Sequence, residues 1–292
     1  MGSVERKITM QWTKDELKKA KKILKQRFEQ AGLDQYAFLK PEPDEASEQI
    51  QSIVVVLFPY YTGSEKGNLS MYCRGIDYHV VVPKYLKPMG EVLKQEFGDE
   101  VQFGAYADTG PLRDRYLALR AGLGFIGRNQ MMINPKYGSY CFIAYITLNM
   151  PLEADLEVAW SREPQCLNCG ACVKNCPGGA MREDGGFVME RCRSGITQKK
   201  GELEDWELEI FYKDELIFGC DVCQSVCPHN KGIAVSPIKE FVQEHIDSLK
   251  MEDLEGLSRK GLQEKYPNRA FTWRGPEVLR RNLRLMEEKN GN

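Results

Sequence analysis

Eight of the chain's ten cysteines fall into one pattern. Cys166, Cys169, Cys172 and Cys176 stand in CLNCGACVKNCP, Cys192 stands alone, and Cys220, Cys223 and Cys227 stand in CDVCQSVCP. Each 4Fe-4S cluster takes four thiolates, so eight cysteines in this arrangement are the ligand count for two clusters. Whatever else the chain folds into, it has to bring these eight side chains into two groups and carry electrons between them.

The run C-x2-C-x2-C-x3-C-P is the bacterial ferredoxin spacing, in which the fourth cysteine ligates the other cluster. Applied here, the crossing groups Cys166, Cys169 and Cys172 with Cys227, which precedes Pro228, and Cys176, which precedes Pro177, with Cys220 and Cys223. The second half-motif is one ligand short, and Cys192, between the two motifs, completes it. Paired C-x2-C motifs also build zinc ribbons, but a four-cysteine run ending in Cys-Pro and repeated in shortened form does not suit a four-ligand zinc site. A disulfide framework needs an oxidising compartment, and the polar start MGSVERKITM has neither a secretory core nor a twin-arginine pair, with Arg6 where myristoylation takes Ser or Thr.

The chain has 292 residues, 42% hydrophobic and 28% charged, which is enough for about two domains. No stretch approaches the roughly 20 apolar residues of a membrane span, and a cytoplasmic protein with no membrane partner is expected. The net charge of -2 excludes a strongly basic nucleic-acid binder overall. Arg259, Lys260, Lys265, Arg269, Arg274, Arg280, Arg281 and Arg284, interleaved with Tyr266, Phe271 and Trp273, read as a solvated helical face with a few packing aromatics.

Thr13 and Glu16 form a capping box before a helix whose Leu17, Ala20, Ile23, Leu24 and Phe28 share a face, with Gly32 ending it. SIVVVLFPYY reads as a buried strand, Pro83 to Phe97 as a helix, VQFGAYAD as a strand, and PLRDRYLALRAGLG as a helix entered through Pro111. Strands follow around QMMIN and SYCFIAYITL. The pattern predicts an α/β domain over 1–160, a cluster module over 161–235 with little apolar core of its own, and a short helical region over 236–292. Asp108, at a strand end before a turn, stands where such domains place chemistry or where a helix simply needs a cap. GLGFIG follows a helix, the wrong context for a dinucleotide site. Cys141 reads as a small buried residue, Cys73 is open, and His79 reads as either a metal ligand or, more commonly for such a residue, a hydrogen-bonded structural histidine.

Together YCRGIDYH, YADTGPLRDR, AGLGFIGRN with GSYCFIAYI, Arg191-Cys192 and GCDVCQSVCPHNK resemble epoxyqueuosine reductase, a cobalamin-dependent iron-sulfur family acting on tRNA. The match runs from about Ile53 to Asn230 and more weakly to Asn282; reductive dehalogenases share the plan. The resemblance implies a nitroreductase-like cobalamin domain followed by a ferredoxin-like double 4Fe-4S module. It implies Asp108 as proton donor, Cys73 lining the cobalamin pocket, and Met132, Phe142, Ser194 and Gly195 near the corrin. It also implies a tRNA substrate and an external low-potential electron donor. Two departures stand out: the family continues through C-terminal helical repeats, and after Cys192 it more often has isoleucine-serine-tyrosine where this chain has RSGITQKKG. The competing expectations are a cobalamin reductase of another small substrate, such as an organohalide, and a ferredoxin-like electron carrier without cobalamin.

Overall fold

Strand β2 (Ser52–Pro59) is buried along its whole length and organises the first half of the chain. The computed structural model describes residues 12–63, 66–155, 165–243 and 245–291. The N-terminal segment MGSVERKITM and the expected boundary at 160 lie outside the described residues. Around β2 the sheet runs β1 (Tyr36–Leu39), β2, β6 (Cys141–Leu148), β3 (Phe103–Ala107), every pairing antiparallel.

Alternate residues of β2 face opposite layers, as a period of two requires. Val54, Val56 and Phe58 pack with Ala20, Leu24 and Phe28 of α1 (Lys14–Gln30) and with Val81, Leu86 and Leu93 of α2 (Tyr78–Phe97). Ile53, Val55 and Leu57 pack on the other side with Leu117 and Ala118 of α3 (Asp114–Arg120) and with Met132. Each such fully buried aliphatic side chain contributes about 2 kcal/mol, so β2 anchors both layers. A short hairpin, β4 (Phe125–Ile126) with β5 (Met132–Ile133), closes the second layer.

The capping box forms as expected: Thr13 accepts from the Glu16 amide, and the Glu16 carboxylate accepts from the Thr13 amide at 2.8 Å. Two boundaries differ. Helix α2 starts at Tyr78, not Pro83, because Asp77 caps it by accepting from the His79 amide at 2.9 Å; Pro83 and Pro88 are carried inside the helix. Helix α3 starts at Asp114, not Pro111, because the Leu112 amide donates to Tyr145 Oη at 2.9 Å instead of opening a helix. Strand β1 was not foreseen: four residues between polar segments carry too little periodicity to read.

Beyond β6 come α4 (Ala171–Asn175), α5 (Arg193–Ile196), α6 (Asp205–Phe211), α7 (Val222–Ser225), α8 (Lys239–Val242), α9 (Met251–Leu254), α10 (Arg259–Lys265) and α11 (Pro276–Gly291). The cluster module is not short of a core. Ile196, Ile210, Phe211, Ile217 and Phe218 share one with Leu254, Leu262, Phe271, Leu279 and Leu283. The basic tail is correspondingly less solvated than its charge suggested. Arg269 and Arg281 are buried, and Arg280 donates to the Leu254 and Leu257 carbonyls. Guanidinium groups are used here to satisfy carbonyls at helix ends and loops, which charge counting does not register.

Candidate functional site

Asp108 terminates β3 with φ of 63°, a left-handed conformation that aspartate tolerates better than most residues. Its amide donates to Asp114 Oδ2 at 2.9 Å, so the first residue of α3 holds the turn. Gly110 lies beneath it, in the space that Tyr145 Oη would deny to any Cβ. The Asp108 carboxylate is exposed, and Oδ2 accepts from Tyr78 Oη at 3.0 Å. His79 Nε2 lies 3.8 Å from the same oxygen, while its Nδ1 is 2.9 Å from Asp77 Oδ1.

Tyr78, Asp108 and Asp114 edge an open groove of about 690 Å³, lined also by Arg113, Cys141 and Phe142, among others. That lies within the roughly 300–1,000 Å³ of ordinary small-molecule and cofactor pockets. The desolvated carboxyl of the pair is Asp114, not Asp108. Burial and then the charge of Asp108 push Asp114 up, against the backbone hydrogen bonds that hold it down, and its Oδ1 is buried with no hydrogen-bond partner. Cys141 is half-buried on the groove wall rather than enclosed in the strand. A larger groove crosses α1, α2 and α8 but contains none of the expected site residues.

Of the positions expected near a corrin, Phe142 lines the groove with Asp108. Cys73 is fully buried in the core shared with the cluster module, its thiol donating to the Ser70 carbonyl at 3.0 Å. Met132 is buried behind β2. Ser194 is half-buried and Gly195 exposed on α5, directly after Cys192.

The cysteines lie in two neighbourhoods. Cys166, Cys169, Cys172 and Cys227 line one small pocket together with Asn129 and His229. Burial, then the nearby Cys166 and Cys169, push the Cys227 thiol up. Cys223 is pushed up by burial and then by the neighbouring Cys220, Cys192 and Cys176. Among the described residues, no three His, Cys, Asp or Glu side chains converge as tightly as a single ion bonded at about 2.3 Å to each sulfur requires. Thiols raised by burial would surrender their protons when metal binds.

One contiguous set of contacts joins the second neighbourhood to the groove. Gln224, next to Cys223, donates to the Ser139 carbonyl at 3.0 Å and to Tyr60 Oη at 3.4 Å. The Tyr60 ring lies 4.5 Å from that of Phe142, and Phe142 stacks on Tyr78 at 4.2 Å. Tyr78 then reaches Asp108. Sequence reasoning missed Tyr60, Tyr78 and Arg193. The register of β2 with β6, Phe58 opposite Phe142, brings Tyr60 to Phe142, and Tyr78, within YCRGIDYH, reaches the same ring from the start of α2. Arg193 had a signal: an arginine immediately after a ligand cysteine, where the resembling family more often has isoleucine.

Residues 165–230 match the 4Fe-4S double cluster binding domain model, and residues 41–109 match the epoxyqueuosine reductase QueG model (DUF1730). Epoxyqueuosine reductase from Lactococcus garvieae is 35% identical over 227 residues, covering 77% of this chain and 62% of that protein. The Leadbetterella byssophila protein of the same name is 31% identical over 264 residues, covering 85% of this chain and 80% of that one. Among solved structures, epoxyqueuosine reductase with an epoxyqueuosine-modified tRNA-Tyr stem loop superposes with TM-score 0.75 at 27% identity, over 92% of this chain and 81% of that one. The chain thus spans less than two thirds of the Lactococcus garvieae relative while matching most of the Leadbetterella byssophila one. Among the described residues, no helix is long and apolar enough to cross a membrane. With the α/β layer, the two cysteine neighbourhoods and the groove at Asp108 in agreement with these matches, the chain belongs to the epoxyqueuosine reductase family.

Proposed function

We propose that this chain reduces epoxyqueuosine to queuosine in tRNA, drawing electrons from an external low-potential donor in the cytoplasm through two 4Fe-4S clusters and bound cobalamin. The observation that carries the reading is the run of contacts from Gln224 beside Cys223, through Tyr60, Phe142 and Tyr78, to Asp108. It joins an electron-carrying site to a carboxyl group at an open groove. The Lactococcus garvieae and Leadbetterella byssophila relatives bear the name of this activity, and the tRNA-bound solved structure supports the substrate class.

Cys166, Cys169, Cys172 and Cys227 are assigned to one cluster, and Cys176, Cys192, Cys220 and Cys223 to the other. Residues 1–160 form the cofactor domain, 161–235 the cluster module and 236–292 a helical region. Phe142 and Tyr78 supply an aromatic wall for cobalamin, with Cys73, Met132, Ser194 and Gly195 as further candidate contacts. Cobalamin, when bound, supplies a strongly reducing centre able to deliver electrons to an epoxide carbon. The chain's own part is to bind, orient and protonate. Loss of the epoxide oxygen as water requires protons, and Asp108 is the carboxyl group open to the groove. Tyr78 engages Oδ2, which leaves Oδ1 to carry and give the proton.

The test is an anaerobic assay on tRNA bearing epoxyqueuosine, with cluster-replete, cobalamin-loaded protein and a chemical reductant. Queuosine formation that depends on cobalamin supports the reading. Failure to convert the tRNA, with both cofactors shown spectroscopically to be bound, overturns the substrate assignment.

A further inference from the structure

We propose that Arg193 raises the reduction potential of the cluster assigned to Cys176, Cys192, Cys220 and Cys223, by holding a buried positive charge against its ligand sulfurs. The inference rests on that ligand grouping.

Arg193 directly follows Cys192 and is 1% exposed, one of the largest fully buried side chains in the described residues. Its Nε donates to the Phe211 carbonyl at 3.1 Å, and Nη2 donates to the carbonyls of Phe211, Asp214 and Leu216 at 2.9, 2.7 and 2.8 Å. Those bonds fix the guanidinium and saturate one side of it. Nη1 is less occupied: it lies 3.3 Å from the carbonyl of Gly219, the residue before Cys220, and 3.5 Å from Asp214 Oδ1. One cation therefore sits beside two of the four proposed ligands: it directly follows Cys192 and donates to the carbonyl of the residue before Cys220.

The charge is only partly offset. Asp214 is 23% exposed and its field is screened by water, whereas the guanidinium is enclosed. Reducing a cluster adds one negative charge, and nearby positive charge and hydrogen bonds to sulfur stabilise that state, which raises the potential. The other cysteine neighbourhood is lined by Arg128, but that side chain is only half-buried and donates to the Glu183 carbonyl. The two clusters are thereby made unequal. The electron is drawn toward the one beside Gln224 and Tyr60, on the groove side of the module.

The experiment is anaerobic redox titration of the full chain, with both clusters resolved as separate waves and iron and sulfide measured in every variant. For Arg193→Met, the expected result is at least a tenfold fall in the reduced-to-oxidised ratio of one cluster at fixed potential. That is a downward shift of about 59 mV for a one-electron couple, with the second wave unmoved. Arg193→Lys, which keeps the charge but not the planar fork, should stay near the parent value. Asp214→Asn, which retains the oxygen that accepts from the Leu216 amide at 2.9 Å, should shift the same wave upward. The Asp214→Asn and Arg193→Lys results decide the matter even if Arg193→Met fails to hold its cluster. Unchanged waves, equal shifts of both clusters, or a downward shift in Asp214→Asn would overturn the inference. An iron content showing that Cys192→Ser keeps both clusters overturns the ligand grouping instead.

Discussion

Tyr78 Oη donates a 3.0 Å hydrogen bond to Asp108 Oδ2, joining the first turn of α2 to the left-handed end of β3. The same tyrosine stacks on Phe142, so orientation of the carboxyl group and the shape of the groove wall are set by one side chain. Asp108→Asn keeps the size of the side chain and its ability to accept from Tyr78 but cannot deliver an acidic proton. Turnover should fall by about 10²–10⁴-fold, the usual worth of general acid catalysis, while iron content and cobalamin binding stay at parent levels. Tyr78→Phe should retain the stacking and lose the hydrogen bond, giving a smaller drop in turnover at similar cofactor occupancy. Parent-like rates in Asp108→Asn would remove it from the mechanism.

Asn282 on α11 is fully buried, and its Nδ2 donates to the Thr197 carbonyl at 2.7 Å and the Ile217 carbonyl at 2.6 Å. Thr197 lies just after Cys192 and Ile217 just before Cys220, so one side-chain amide ties both ligand loops to the C-terminal helix. Arg281 reinforces the arrangement by donating to Asn282 Oδ1 and to the Lys199 carbonyl. Asn282→Ala leaves buried carbonyls without a donor and should cost about 2 kcal/mol. The expected readout is faster loss of iron to a chelator from one cluster, with the other released at the parent rate. Equal acceleration at both clusters, or at neither, would show that α11 does not support the loops in this way.

How legible these features were depended on how local their physics is. The α1 capping box and the buried run of β2 were readable because each signal lies within a few residues. The cysteine motifs were readable because ligand spacing is a local signal, and the ligand grouping drawn from them is a proposal. The start of α2 was misread because Pro83 is a strong helix-entry signal, while the Asp77 cap six residues upstream depends on a side chain folding back. The aromatic run from Tyr60 to Tyr78 is a product of strand register between segments far apart in the chain. Asp114 lies within YADTGPLRDR, but nothing in the pattern signals its partial burial, which comes with a turn that the sequence assigns to the helix.

The crossed ligand grouping can be separated from an uncrossed one with double variants. Cys176 belongs to the first motif but sits near Cys192, Cys220 and Cys223 in the structure. Cys176→Ser combined with Cys192→Ser should therefore lose one cluster, no more than either single change. Cys192→Ser combined with Cys227→Ser should lose both. Iron and sulfide analysis after anaerobic reconstitution reads the outcome directly. The reverse result would assign Cys176 to the cluster of its own motif.

Burial holds several acidic hydrogens in place at high pH. The Cys73 thiol is raised by burial and then by Asp221, and Tyr60 by burial, with Gln224 opposing. Tyr72 is raised by burial and then by Cys73. In the unfolded chain these groups ionise near their ordinary values of 9.0 for cysteine and 10.0 for tyrosine, whereas in the folded chain they stay protonated. The folded state then binds more protons, so stability is full below pH 9 and falls as pH rises, by up to about 1.4 kcal/mol per unit for each group. Thermal midpoints measured anaerobically between pH 8 and about 11 should drop, most steeply above the ordinary tyrosine value. Tyr60→Phe removes one ionisable group along with the acceptor for Gln224. It should be slightly less stable than the parent at pH 8 yet lose stability more slowly above pH 10, and parallel curves for the two proteins would show that Tyr60 ionisation is not linked to unfolding.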